Sequence, residues 1–123
     1  MKAGSKTEIT LHVRLKDGYH VNSNHPSDEY LIPLRLAWTP DAKIWSISGV
    51  FYPKPSMEKY SFSETPLSVF TGNFDIRSEL TIQSDAPLGQ NAVSAKLRYQ
   101  ACTDRMCLPP KTVDVTVPAD IVK

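Results

Sequence analysis

The chain of 123 residues is long enough for one domain with its own hydrophobic core and too short for two of ordinary size. Its formal net charge of +1, with lysines and arginines scattered rather than clustered, argues against a nucleic-acid-binding or polybasic membrane-binding surface. Ten prolines spread along the chain argue against a mainly helical fold, because each lacks a backbone donor and clashes inside a helix.

The first strong signal is alternation. Ile9, Leu11, Val13 and Leu15 share one face, and Glu8, Thr10, His12 and Arg14 the other, which predicts a half-buried strand over Thr7 to Leu15. Lys16-Asp17-Gly18 reads as a turn, Tyr19 to Asn22 as a short extended stretch, and Ser23 to Glu29 as a polar loop containing Pro26. Leu31 to Trp38 is apolar-rich and ends at Thr39-Pro40-Asp41. Ile44 to Tyr52 is a further strand, with Gly49 as a candidate bulge. Pro53-Lys54-Pro55 breaks that pattern, and Ser56 to Pro66 shows no period, so it reads as a long loop carrying Tyr60 and Phe62.

Leu67 to Phe70 is a short strand followed by a turn at Thr71-Gly72-Asn73. Phe74, Ile76, Leu80 and Ile82 alternate with polar residues, Ser78 being the exception on the apolar face. Asp85 to Gln90 is a turn region. Val93 to Ala101 alternates again, and Val113, Val115 and Val117 form a last strand. Seven or eight strands separated by turn signals predict an all-β, immunoglobulin-like sandwich occupying residues 1–123 as a single domain. No run approaches ~18 consecutive apolar residues, so no segment reads as a membrane span. Met1 to Lys6 lacks the apolar stretch of a signal peptide. That start suits either a cytoplasmic protein or a mature domain excised from a longer chain, and the cysteines favour the second.

Cys102 and Cys107 flank Thr103-Asp104-Arg105-Met106 between two strand-like segments. A four-residue hairpin loop would set them opposite each other, with α-carbons ~4.5–5.5 Å apart. A disulfide spans ~4.4–6.8 Å, so a bond is permitted. The chain-entropy model assigns only about 2 kcal/mol to so short a loop, which is little for a domain of this size. On spacing alone a structural disulfide stands ahead of a redox pair, with free thiols or a metal behind both.

A thioredoxin-like reading fails, since there is no Cys-x-x-Cys and no strand–helix–strand pattern to carry one. Cys102-x4-Cys107 and His20-x4-His25 both fall near zinc-ligand spacing, but the histidines lie far upstream in a segment with no other metal signature. Nor does any phosphate loop, nucleophile elbow or paired-carboxylate motif occur, and no cofactor is expected. Trp38 and Trp45 read as core residues, and Lys54, Lys59 and Arg105 as solvated charges. Arg105 would favour a thiolate and Asp104 oppose it.

The segments Tyr99-Gln100-Ala101-Cys102 and Cys107-Leu108-Pro109-Pro110 resemble the amino-terminal periplasmic domain of the DsbD family of thiol–disulfide interchange proteins. Gly18-Tyr19-His20-Val21 and the Leu80 to Ile82 strand fit the same domain. The loop between the cysteines is one residue shorter than in the family pattern. The resemblance implies an immunoglobulin-like domain of an inner-membrane protein, exposed to the periplasm, with a reversible Cys102–Cys107 disulfide. Electrons would pass to thioredoxin-like partners such as disulfide isomerases or cytochrome c maturation factors. Re-reduction would come from the carboxy-terminal domain of the same polypeptide. The resemblance also implies that Cys107 bonds the partner, that Cys102 resolves, and that an aromatic on a cap loop near Met57 to Thr65, Tyr60 or Phe62, shields the pair. His20 and Asn22 stand where the family carries tyrosines, and with Asp104 they are candidate partner-contact residues. Membrane association is expected only through the parent polypeptide, nucleic acid is not expected as a partner, and a monomer is expected. The rival function is a non-catalytic immunoglobulin-like binding module with a structural disulfide.

Overall fold

Strict alternation makes β1 (Lys6–Arg14) half-buried along its length, with Thr7, Ile9, Leu11 and Val13 inward and the residues between them outward. It pairs antiparallel with β7 (Asn73–Ile82), Ile9 opposite Ser78 and Val13 opposite Phe74. On the far side of β7 lies β4 (Trp45–Phe51), whose register slips between Ile47 and Gly49. The bulge expected at Gly49 is therefore present, with Ser48 as the extra residue. These coordinates are a computed structural model that describes residues 1–28 and 30–123; Glu29, the end of the expected polar loop, lies outside the described residues.

Two further sheets complete the molecule. One has the order β10 (Lys111–Ile121), β8 (Gly89–Tyr99), β3 (Arg35–Trp38). The other has the order β5 (Ser56–Glu58), β6 (Leu67–Thr71), β2 (His20–Asn22), β9 (Ala101–Cys102). Pro118 sits in β10, an edge strand of its sheet, where a missing amide donor is tolerated. A buried cluster of Val21, Leu34, Leu36, Phe70, Ile76, Ala95 and Leu97 draws on all three sheets. A second, of Trp45, Leu80, Ile82, Ala86, Val93 and Ile121, closes the other end. Trp38 packs against both, edge-on to Trp45 with ring centroids 6.0 Å apart. The two tryptophans are thus core residues, as expected. The architecture is the all-β, immunoglobulin-like sandwich, with ten strands among the described residues rather than seven or eight. No helix is long and apolar enough to cross a membrane among the described residues.

Three segments depart from the sequence expectation. Leu31 to Trp38 is a strand only from Arg35, because Pro33 lacks an amide donor and Leu34 donates instead to the carbonyl of Ser23 at 3.2 Å. Ser56 to Pro66 is not wholly a loop, since Ser56–Glu58 pairs with β6. All three of those side chains are exposed, so an edge strand formed there without any apolar alternation to announce it. The strand expected over Val93 to Ala101 is interrupted at Gln100, where the chain leaves the β10-β8-β3 sheet and joins β2 as β9. Gly72, with φ of 64°, makes the expected turn between β6 and β7.

Ser78, the polar residue on the apolar face of β7, is fully buried. Its hydroxyl oxygen accepts the indole N–H of Trp38 at 2.9 Å. Substituting Ser78→Ala strands that donor between the sheets, so the unfolding free energy from urea denaturation is expected to fall by about 1–3 kcal/mol. An unchanged value would show that the indole finds another acceptor.

Candidate functional site

The cysteines occupy the rim of the β5-β6-β2-β9 sheet. Leu108 donates its amide to the carbonyl of Ala101 at 2.8 Å, and Thr103 donates to Met106 at 2.7 Å, which closes the hairpin around Cys102 and Cys107. The Thr103 hydroxyl oxygen accepts the amides of Arg105 and Met106, each at 3.2 Å, so one side chain organises the tip. Cys102 and Cys107 face each other as an isolated antiparallel pair and are joined by a disulfide, with α-carbons 3.9 Å apart. The flanking hydrogen bonds make this a non-hydrogen-bonded pair, the closer of the two antiparallel geometries, and the separation is shorter still than the ~4.5 Å typical of one. The two sulfur-bearing residues differ in access: Cys102 is fully buried and Cys107 only partly so.

Burial of Cys102 follows from the strand beside it. In the β2–β9 register, His20 lies directly opposite Cys102, and Val21 opposite Ala101. Val21 points into the core, so by the period of two His20 and Asn22 point to the other face. That face is nevertheless closed, with His20 and Asn22 only 2% and 1% exposed. The cover over His20 comes from the loop after β5. The ring of Tyr60 stacks on the His20 imidazole at 3.9 Å between centroids and 10° between planes. Phe62 lies beside this pair and parallel to it, 5.7 Å from Tyr60 and 6.2 Å from His20, and remains 38% exposed.

The loop is tied at both ends of its tip. Ser61 donates its hydroxyl to the carbonyl of Asp104 on the cysteine hairpin at 2.5 Å. Lys59 donates its ammonium to the carbonyls of Tyr60, at 2.9 Å, and of Ser63. Lys59 was expected as a solvated charge; it instead closes the loop turn while remaining exposed. A cleft of about 490 Å³ opens beside this arrangement, lined by Tyr19, His20, Tyr60, Thr71 and Asp104 among others.

Of the candidate residues, then, Cys102, Cys107, His20, Tyr60, Phe62 and Asp104 come together. Tyr60, rather than Phe62, makes the direct stack on His20. Asn22 serves a different purpose: its amide nitrogen donates to the carbonyl of Ile32 at 3.0 Å and so holds the irregular segment before β3. Sequence reading missed Ser61, whose contribution depends on a contact 43 positions away. Spacing alone set the histidines far from the cysteines, while the resemblance put His20 among the candidate site residues; in the structure it is the cross-strand neighbour of Cys102. No group of three or more His, Cys, Asp or Glu suited to a metal ion occurs among the described residues.

Desolvation holds the His20 imidazole below its ordinary pKa, because the charged form cannot be hydrated under the Tyr60 ring. Burial, and secondarily the charge of Glu58, push the Tyr60 phenol above its usual range. Both rings of the stack are therefore held toward their neutral forms.

Residues 1–119 match the family model described as thiol:disulfide interchange protein DsbD, N-terminal. Among solved structures the chain is similar to the Neisseria meningitidis DsbD n-terminal domain in the reduced form, at 13% sequence identity and a TM-score of 0.55, covering 90% of this chain and 76% of that one. At that identity the structural likeness is one of fold. No curated protein matches the chain.

The lowered His20 pKa has a stability consequence of definite sign. Below about pH 6.5 the unfolded chain binds a proton at this position that the folded chain resists. The stabilising difference is complete above that pH and is lost on acidification toward the folded-state value. Between pH 7.5 and pH 5 the native protein is expected to lose more stability than a His20→Phe variant, measured as the shift in urea midpoint. Equal losses would mean that His20 titrates freely in the folded state.

Proposed function

The chain belongs to the family of the DsbD N-terminal thiol:disulfide interchange domain, and from that membership we propose that it relays electrons in the periplasm to thioredoxin-like proteins through the Cys102–Cys107 pair. The observation that carries this reading is the unequal access of the two cysteines, one buried under a strand and a latched aromatic loop, the other partly open at the rim. A purely structural staple has no need of that asymmetry. An exchange reaction does, because attack must be directed to one sulfur.

The chemistry runs in two displacements. In the reduced domain the Cys107 thiolate attacks one sulfur of a partner disulfide, forming a mixed disulfide and releasing the partner's other sulfur as a thiolate. Cys102 then attacks the Sγ of Cys107, the intermolecular bond breaks, and the Cys102–Cys107 disulfide forms. Two electrons and two protons reach the partner. Recharging reverses the sequence, with a reductant thiolate attacking the accessible Cys107 and Cys102 leaving. A disulfide isomerase or cytochrome c maturation factor suits the acceptor role. The carboxy-terminal domain of a parent membrane polypeptide suits the donor role.

The loop holding Tyr60 and Phe62 gives the pair a cover. Ser61 latches it to the hairpin through one hydrogen bond, which is worth about 1 kcal/mol net. So weak a latch permits a docking partner to displace it, while the stacked rings slow attack by small oxidants. Asp104 and the cleft beside His20 then become part of the surface a partner meets.

Cysteine roles are separable by trapping with an oxidised thioredoxin-like protein. A Cys102→Ser variant is expected to accumulate a mixed disulfide through Cys107, and a Cys107→Ser variant to accumulate little. Trapping by the second variant alone would reverse the roles, and trapping by neither would overturn the exchange reading. The equilibrium reduction potential of the pair, from thiol trapping in graded redox buffers, is expected within the span of thioredoxin-like oxidoreductases, about −120 to −270 mV. A value below about −300 mV would instead favour a binding module with a structural disulfide.

A further inference from the structure

The His20 imidazole is the buried polar group nearest in register to the resolving sulfur, and the exchange reaction as described gives it no part. Directly opposed residues on antiparallel strands project to the same face with their β-carbons ~4.5–5.5 Å apart, so the side chains of His20 and Cys102 are neighbours. Both are almost wholly removed from solvent. The Nε2 atom of His20 is buried and has no hydrogen-bond partner among the described residues while the disulfide is closed. A buried polar atom without a partner is a candidate for a role in the chemistry beside it, and of the two such atoms among the described residues, His20 Nε2 and Asn22 Oδ1, the first belongs to the residue opposite Cys102. Reduction supplies a partner at this place, because Cys102 gains an S–H.

We propose that His20 is the proton acceptor for Cys102, hydrogen-bonding its thiol in the reduced domain and taking its proton as Cys102 closes the disulfide. This inference rests on the reading of Cys107 as the partner-bonding cysteine and Cys102 as the resolving one. In the mixed disulfide the Cys102 proton passes to Nε2 as the Cys102 sulfur bonds to the Sγ of Cys107. The bond between Cys107 and the partner breaks, the partner sulfur leaves as a thiolate, and the imidazolium then gives up its proton to that thiolate or to water. No external oxidant or base is consumed.

The surroundings suit an acceptor. The stack on Tyr60 fixes the ring and, by excluding water, keeps the imidazole neutral at neutral pH, ready to take a proton. The charged or titratable groups about it include Tyr60 on the stacking loop with Glu58 of β5 acting on it, Cys102 on β9, Asp104 at the hairpin tip, and Lys16, Asp17 and Tyr19 around the adjoining cleft. Lys16 and Asp17 carry opposite charges at neighbouring positions, and none of these groups hydrogen-bonds the buried nitrogen. A thiol with no base beside it reacts only through its thiolate fraction, which is small near neutrality for an ordinary cysteine.

The test uses the reduced protein and the small disulfide 5,5′-dithiobis(2-nitrobenzoate) under stopped flow. Attack by Cys107 releases one thionitrobenzoate in a concentration-dependent phase. Closure by Cys102 releases a second in a phase independent of concentration. In the native protein the closure rate is expected to be nearly flat from pH 7 to pH 8.5. In His20→Phe, which keeps an aromatic ring for the stack, closure is expected to be slower by about 100-fold at pH 7 and to rise about tenfold per pH unit. His20→Asn, which offers a hydrogen bond but no base, should show the same pH slope and serves if the phenylalanine variant does not fold. The equilibrium constant for reduction by glutathione should also fall about three- to tenfold in His20→Phe, as the reduced state loses a hydrogen bond. Unchanged closure rates, or slower closure with the flat pH profile retained, would overturn the proton-acceptor role while leaving the exchange function standing. Absence of the closure phase in the native protein would overturn the exchange reading itself, and this inference with it.

Discussion

The pairing of β9 with β2 is the constraint on which the site depends. Gln100 ends the run of β8 in one sheet, and Ala101 and Cys102 begin again in another. The Gln100 side chain steadies the crossing by donating to the carbonyl of Leu108 at 3.2 Å, across the base of the hairpin. Because the chain changes sheets at this point, the cysteine hairpin extends from the rim of the four-stranded sheet of short strands rather than lying within the long β10-β8-β3 ladder. That placement gives Cys102 a neighbouring strand on one side and leaves Cys107 as the outer member of the pair.

A second consequence concerns polarity. β2 is an inner strand, with β6 on one side and β9 on the other, and both its faces are covered. One face is covered by the apolar core, which explains Val21. The other is covered by the Tyr60 loop, and there the strand carries His20 and Asn22. On that face the Asn22 amide is held by the carbonyl of Ile32, and the fully buried Val69 stands opposite Asn22 in register. Tyr60 and Phe62 supply the aromatic area, and the Ser61–Asp104 contact ties the loop to the cysteine hairpin.

Much of this was legible beforehand. Alternation identified β1, β7, β8 and β10, because each is long and has one face in the core and one in water. Ser78 was visible as an exception to its pattern, although its partner Trp38 was not. The cysteine spacing permitted the hairpin disulfide that is present, and the flanking residues carried the family resemblance. The short strands were harder to read. β2, β5 and β9 have three, three and two residues, too few to display a period. β5 was hidden besides, because all its side chains are exposed and its existence rests on backbone hydrogen bonds that any residues would make.

Local patterning, then, determined the fold class, the long strands, the turn at Gly72 and the possibility of a Cys102–Cys107 bond, since each depends on residues close together in the chain. Tertiary structure alone decided which cysteine is buried, that Tyr60 makes the stack, and that Ser61 and Lys59 secure the loop. It alone brought His20 opposite Cys102, across 82 positions of chain. These are long-range pairings between short segments, set by where the chain changes sheets. No local period or propensity encodes them, because the hydrogen bonds and packing that select them exist only once the sandwich has closed.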